Sequence, residues 1–125
     1  GGNAGSQTVA TVIRALALRE VRPRDALQVW FREAKTALLL GLLIGLVALG
    51  RSMLWGVDYH LAMTVGITVT TIVIWANTVA SVVPLFASAV GIDPTIVSGP
   101  LMTTLIDGTG LVIYFSLAAW ILPQL

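Results

Sequence analysis

The chain has 125 residues, 57% hydrophobic and only 10% charged, with a mean hydropathy of +0.93 and a formal net charge of +1. So little charge cannot clothe a water-facing surface, so the composition describes a membrane protein and not an ordinary soluble domain. The lack of a long basic or acidic block argues against nucleic-acid binding, and the absence of cysteine excludes disulfides and thiolate metal sites.

The sequence opens at Gly1 without a methionine, signal peptide or basic leader, which reads as a piece of a longer polypeptide. A bilayer core takes roughly 20 apolar helical residues. By that ruler the expected fold is all-α, a polytopic membrane helix bundle of four transmembrane helices filling one domain over residues 1–125. The first seven residues, Gly1-Gly2-Asn3-Ala4-Gly5-Ser6-Gln7, are too polar and flexible for a lipid-facing helix start. Non-helical backbone is expected there, either lining water or a partner helix, or lying in an outer loop. The first helix is expected over about 7–18, and Pro23 then breaks the chain.

Asp25 with Gln28 reads as a capping box that opens a short interfacial helix over about 25–34, with Leu27, Trp30, Phe31 and Ala34 at helical spacing. Such a helix suits anchoring, or contact with membrane lipid or a regulatory domain. The second span is expected over about 35–55, where Gly41 and Gly45 form a GxxxG pair best explained by close helix packing. The third, about 61–89, carries seven polar positions from Thr64 to Ser81, among them Asn77 and Thr78, suited to helix-to-helix hydrogen bonds. Asp58 and His60 precede it as a solvated pair, too sparse for a metal site. The fourth span, about 94–122, begins cleanly: Gly91 ends the previous helix, Asp93 caps the next and Pro94 fits its first turn. Ser98-Gly99-Pro100 is expected to kink that span and free backbone carbonyls.

Six of the seven cationic residues, Arg14, Arg19, Arg22, Arg24, Arg32 and Lys35, surround the first connection, and Arg51 is the exception. The positive-inside rule then makes that connection cytoplasmic and puts the C-terminus outside, with Trp55, Tyr59 and Trp120 near the outer interface.

Asp107 is the only formally charged side chain after Asp93, near the middle of an apolar run. A carboxylate there costs on the order of 2.5–3.5 kcal/mol on insertion scales, so it faces a wet or protein-lined cavity and suggests a cation pathway. Pro100, Thr103, Thr104, Gly110, Leu111 and Tyr114 share its helix side, a mostly small or hydroxylated stripe able to line a narrow pore. The alternative is a packing seam in which Asp107 is satisfied by threonine hydroxyls or by Arg14. With no nucleophile placed beside a base, enzyme activity is not expected.

Gly2-Asn3-Ala4-Gly5-Ser6-Gln7, Arg14-Ala15-Leu16-Ala17-Leu18, Pro23-Arg24-Asp25-Ala26, and Asp93-Pro94 through Gly99-Pro100-Leu101 to Thr103-Thr104-Leu105-Ile106-Asp107 together resemble the MgtE family of magnesium channels. The likeness covers essentially the whole chain and corresponds to the family's second through fifth membrane helices. It implies a homodimer in the plasma (inner) membrane, with a central magnesium pathway lined by the first and last helices of both copies. Asp107 matches the pore carboxylate of the family's ion site, and Gly2, Ser6, Gly99 and Thr103 match positions along its wall. At Ser6 and Gly99 the best-known pattern has asparagine. The resemblance also implies a preceding membrane helix and cytoplasmic regulatory domains elsewhere in the polypeptide. The rival functions are a proton- or sodium-coupled divalent cation transporter, with Asp107 titrating, and a non-conducting membrane interaction module.

Overall fold

A computed structural model describes residues 1–122 and contains four α-helices: α1 (Gly2–Ala17), α2 (Ala26–Leu54), α3 (Tyr59–Ala89) and α4 (Gly99–Ile121). The last three residues of the domain expected over 1–125, and with them the C-terminus, lie outside the described residues. Two 3₁₀ turns, Pro23–Asp25 and Pro94–Val97, lead into α2 and α4.

Helices α2, α3 and α4 are long and apolar enough to cross a membrane. At 16 residues, α1 measures about 24 Å, short of a hydrocarbon core of about 30 Å. By length, then, three of the four expected spans qualify. Exposed Leu39, Leu46, Val112 and Phe115 give α2 and α4 the apolar outer faces that lipid requires.

Contacts fix the directions of the helices. Thr8 meets Asn77 and Val12 packs with Leu85, so α1 and α3 run the same way, whereas Gly45 meets Gly66 and Trp30 meets Thr78, so α2 opposes α3. Helix α3 is the hub: it packs against all three others and buries Thr68, Val73, Ala76, Ala80, Ser81 and Leu85. The main core joins Val9 of α1 to Ala76 and Ala80 of α3 and to Met102 and Ile106 of α4.

The Gly41–Gly45 pair does what its spacing predicts. It lets the α2 backbone reach α3 so closely that the Thr70 hydroxyl donates to the Gly41 carbonyl at 3.0 Å as well as to its own helix at Gly66, 2.9 Å. A Cβ on Gly45 would run into Thr70 Oγ1 and stand 2.7 Å from the Gly66 carbonyl oxygen. Asn77 likewise joins helices, accepting from the Thr8 hydroxyl.

Four expectations need correction. The opening residues are helical from Gly2, with the Gly5 amide donating to the Gly1 carbonyl at 2.9 Å, because their glycines serve close packing and not chain reversal. No separate interfacial helix exists over 25–34: the apolar spacing continues unbroken, and α2 is a single helix of 29 residues. Asp25 does not cap α2 through Gln28; its carboxylate turns back to accept from the Arg22 amide at 2.9 Å, closing the 3₁₀ turn. Finally, Ser98-Gly99-Pro100 starts a helix instead of kinking one. Ser98 has extended dihedrals, and Pro100 falls in the first turn of α4, where its missing N–H costs nothing.

The turn before α4 follows expectation. Gly91 takes a left-handed φ of 80°, and Asp93 accepts from the Thr95 hydroxyl at 2.7 Å and the Thr95 amide at 2.9 Å. Those two bonds, the hydroxyl's first, hold the Asp93 carboxyl below the usual carboxylate range. Asp58 plays the same part for α3, accepting from the His60 amide at 2.9 Å. The end of α1 is less ordinary. The Glu20 amide donates to the Ala15 carbonyl and the Arg19 amide to that of Leu16, a Schellman closure that puts Arg19 at φ 56°. Glycine is the usual residue there, and a side chain in that region costs roughly 1–2 kcal/mol.

Gly45→Ala should destabilise the α2–α3 pair by about 1–3 kcal/mol, the usual cost of overpacking. Gly50→Ala, which meets nothing within 4 Å, should be neutral or mildly stabilising. Thermal unfolding of both variants in detergent measures the contrast.

Candidate functional site

Gly99, Thr103 and Asp107 follow one another at i+4 steps, which stacks them along one side of α4. Beside that stack runs the start of α1. A Cβ built on Gly2 would stand 2.7 Å from Asp107 Oδ1 and 3.0 Å from Thr103 Cγ2, so the two helices approach as closely as a residue without a side chain permits. One turn along α1, the Ser6 hydroxyl lies 2.9 Å from that of Thr103. Gly2, Ser6, Thr103 and Asp107 therefore form one corner. Gly99 extends the same column, and its open side meets nothing within 4 Å.

The core beneath fixes the corner. Ile106 is fully buried and abuts Gly5, whose own approach to the Ala76 carbonyl pins α1 against α3. Its chain neighbour Asp107 consequently points away from the core and is exposed. Trp75 adds a second constraint: its indole N–H donates to Thr109 Oγ1 at 2.8 Å, locking α4 to α3 just beyond the carboxylate.

Hydrogen bonding gives the corner a direction. Ser6 has a single hydroxyl proton, which goes to the Gly2 carbonyl at 2.8 Å, so Thr103 must be the donor in the Ser6–Thr103 bond. Both hydroxyl protons are thereby spent within the protein. What remains toward the open side is acceptor capacity on Ser6, Thr103 and the Asp107 carboxylate. A surface of acceptors is suited to a cation or to the outward-pointing protons of its water shell.

Among the described residues no hydrogen bond or ion pair engages Asp107, and the one ion pair joins Arg32 to Glu33 at 3.6 Å. Neither neutralisation scheme read from the sequence is realised, because Arg14 lies about three turns beyond Gly2 along α1, while Thr103 bonds Ser6 and Thr104 donates to the Pro100 carbonyl. Nor does a group of three acidic or histidine side chains able to enclose a metal occur among the described residues. At this corner the described residues present a single formal charge with supporting oxygens.

Three residues escaped the reading of the sequence. Trp75 and Thr109 draw no attention as motifs, although a tryptophan amid apolar residues must find an acceptor for its N–H. Thr8 is similar: its pairing with Asn77 depends on a contact between helices far apart in the chain.

The chain was compared with known proteins. A family model described as MgtE, divalent cation transporter, matches residues 1–117. The chain is 40% identical over 122 residues to the magnesium transporter MgtE of Thermus thermophilus, covering 98% of this chain and 27% of that protein. It is 31% identical over 118 residues to that of Enterococcus faecalis and 32% identical over 117 residues to that of Bacillus subtilis, in each case 94% of this chain and 26% of the relative. The chain spans about a quarter of the length of these relatives.

Ser6→Ala and Thr103→Ala should each loosen α1 from α4, with a coupling of about 0.6 kcal/mol, typical of hydrogen bonds between membrane helices. A double-mutant cycle on unfolding in mixed micelles isolates that term.

Proposed function

Because this chain belongs to the MgtE family of divalent cation transporters, we propose that it supplies the wall and the central charge of a magnesium pathway, with Asp107 as the ion-attracting group. The family is one of transporters, not enzymes, and with three long apolar helices it makes this a multi-pass membrane chain. One observation carries the proposal: Asp107 is exposed near the middle of α4, without a protein partner, above a column of oxygens whose protons are already committed. An unpaired carboxylate at that depth is costly, and a passing cation relieves the cost.

Magnesium releases its waters reluctantly, so a site that recognises it does well to hold the hydrated ion by outer oxygens. In a homodimer, two Asp107 carboxylates facing across the two-fold axis would supply the charge. Thr103, Ser6, the Gly2 backbone and Gly99 would line the water shell. The small residues matter here: Gly2 leaves Asp107 room, and Gly99 keeps the column open below it. In this arrangement α1 acts as the fourth crossing segment, the basic end faces the cytoplasm of a plasma membrane, and the C-terminus lies outside. Regulatory domains in the rest of the polypeptide would act on the pore from that basic end.

Asp107→Asn should lower magnesium flux into reconstituted vesicles by at least about tenfold. Dimer formation and unfolding should hardly change, because no protein bond is lost. Wild-type flux in this variant would reject the assignment. Flux that tracks an imposed proton or sodium gradient would favour a coupled carrier, and assembly without flux would favour an interaction module.

A further inference from the structure

We propose that the recess where α1 turns toward α2 is a binding site for a phosphate oxyanion, presented as the headgroup of an anionic phospholipid. The recess has a volume of about 380 Å³ and is lined by Leu16, Arg19, Val21, Arg22, Pro23 and Ser88. Two arginines and a serine therefore line one cavity whose other lining residues are apolar. Its lining includes no carboxylate; Glu20 and Asp25 line the neighbouring recess with Arg32 and Lys35. Arg19 and Arg22 make no ion pair among the described residues. Two arginines without an ion pair on one cavity wall suit a phosphate, whose oxygens accept paired N–H donors.

The backbone positions one of the two arginines. Arg19 is the only non-glycine residue with a positive φ among the described residues, at a helix-ending position where glycine is free of strain. The Schellman closure fixes that φ, and it is the closure that sets Arg19 on the wall of the recess.

Position selects the lipid. Arg19 follows α1 by two residues, and Ser88 precedes the last residue of α3 by one. The recess therefore lies where two helices leave the apolar layer, at headgroup depth. Leu16 and exposed Leu18 supply an apolar edge beside it. The proposal does not rest on the role given to Asp107.

Native mass spectrometry of the chain with equal amounts of phosphatidylglycerol and phosphatidylcholine tests it, using wild type, Arg19→Gly, Arg22→Gln and Arg24→Gln. Wild type should retain phosphatidylglycerol at least about fivefold more than phosphatidylcholine, and Arg19→Gly and Arg22→Gln should each lower that retention about fivefold, the worth of one cation at a charged surface. Lipid-free Arg19→Gly should also unfold at a higher temperature than wild type, which shows that the loss of binding is not a loss of fold. Arg24→Gln, outside the recess, should bind as wild type does. Inorganic phosphate that displaces the lipid, with both variants insensitive to it, would support the same oxyanion site with the free ion as a second source. Equal retention of the two lipids, or an equal loss in Arg24→Gln and the two recess variants, would overturn the proposal.

Discussion

The close approach of α1 to α3 and α4 is the constraint on which the candidate site rests. Gly2 and Gly5 remove the side chains that would hold α1 away, and the space they leave is filled by Ile106 on one side and bordered by the Asp107 carboxylate on the other. Once Ile106 is buried, helical geometry sends its neighbour outward. The same contact thus both assembles the core and aims the charge. No part of this depends on a strong bond: in a lipid environment, where apolar side chains gain little by leaving lipid for one another, small residues and a few hydrogen bonds decide which helices pair.

Several polar groups in α1 and α3 are spent on such pairings. Thr8 serves Asn77, Thr70 serves α2, Trp30 reaches Thr78, and many other hydroxyls bond back to their own helix. Against that background the free Asp107 stands out by its lack of a partner more than by its charge alone. Thr68 is another exception, a fully buried hydroxyl without a hydrogen bond; nothing in its surroundings explains it. The difference between the two is exposure. Thr68 is sealed within the bundle, whereas Asp107 is exposed.

Much of this was legible in the sequence. The isolated charge at Asp107, the Asp93 cap after Gly91 and the GxxxG contact each depend on neighbours within a few residues, so local rules reach them. The long apolar runs identify α2, α3 and α4 for the same reason. The errors came where one local signal has two uses. Glycines at the start of α1 read as loop because composition does not reveal that a partner backbone is near. The charged stretch over 25–34 read as a separate helix because polarity changes there, although helical spacing does not. Ser98-Gly99-Pro100 read as a kink because a proline inside an apolar run and a proline starting a helix look alike until the N-cap residue, here Ser98, is seen to be extended. The pairs Ser6–Thr103 and Trp75–Thr109 join distant parts of the chain, and spacing along one helix carries no trace of them.

The uninterrupted length of α2 has a mechanical meaning. At 1.5 Å per residue, 29 residues reach about 43 Å, well beyond a hydrocarbon layer of about 30 Å. Its first turns therefore project past the apolar layer as part of the same rod that packs against α3 through Gly41 and Gly45. A flexible joint at the bilayer surface would absorb a sideways force applied to those turns. This rod has none, so such a force is delivered as tilt to the close glycine contact between α2 and α3.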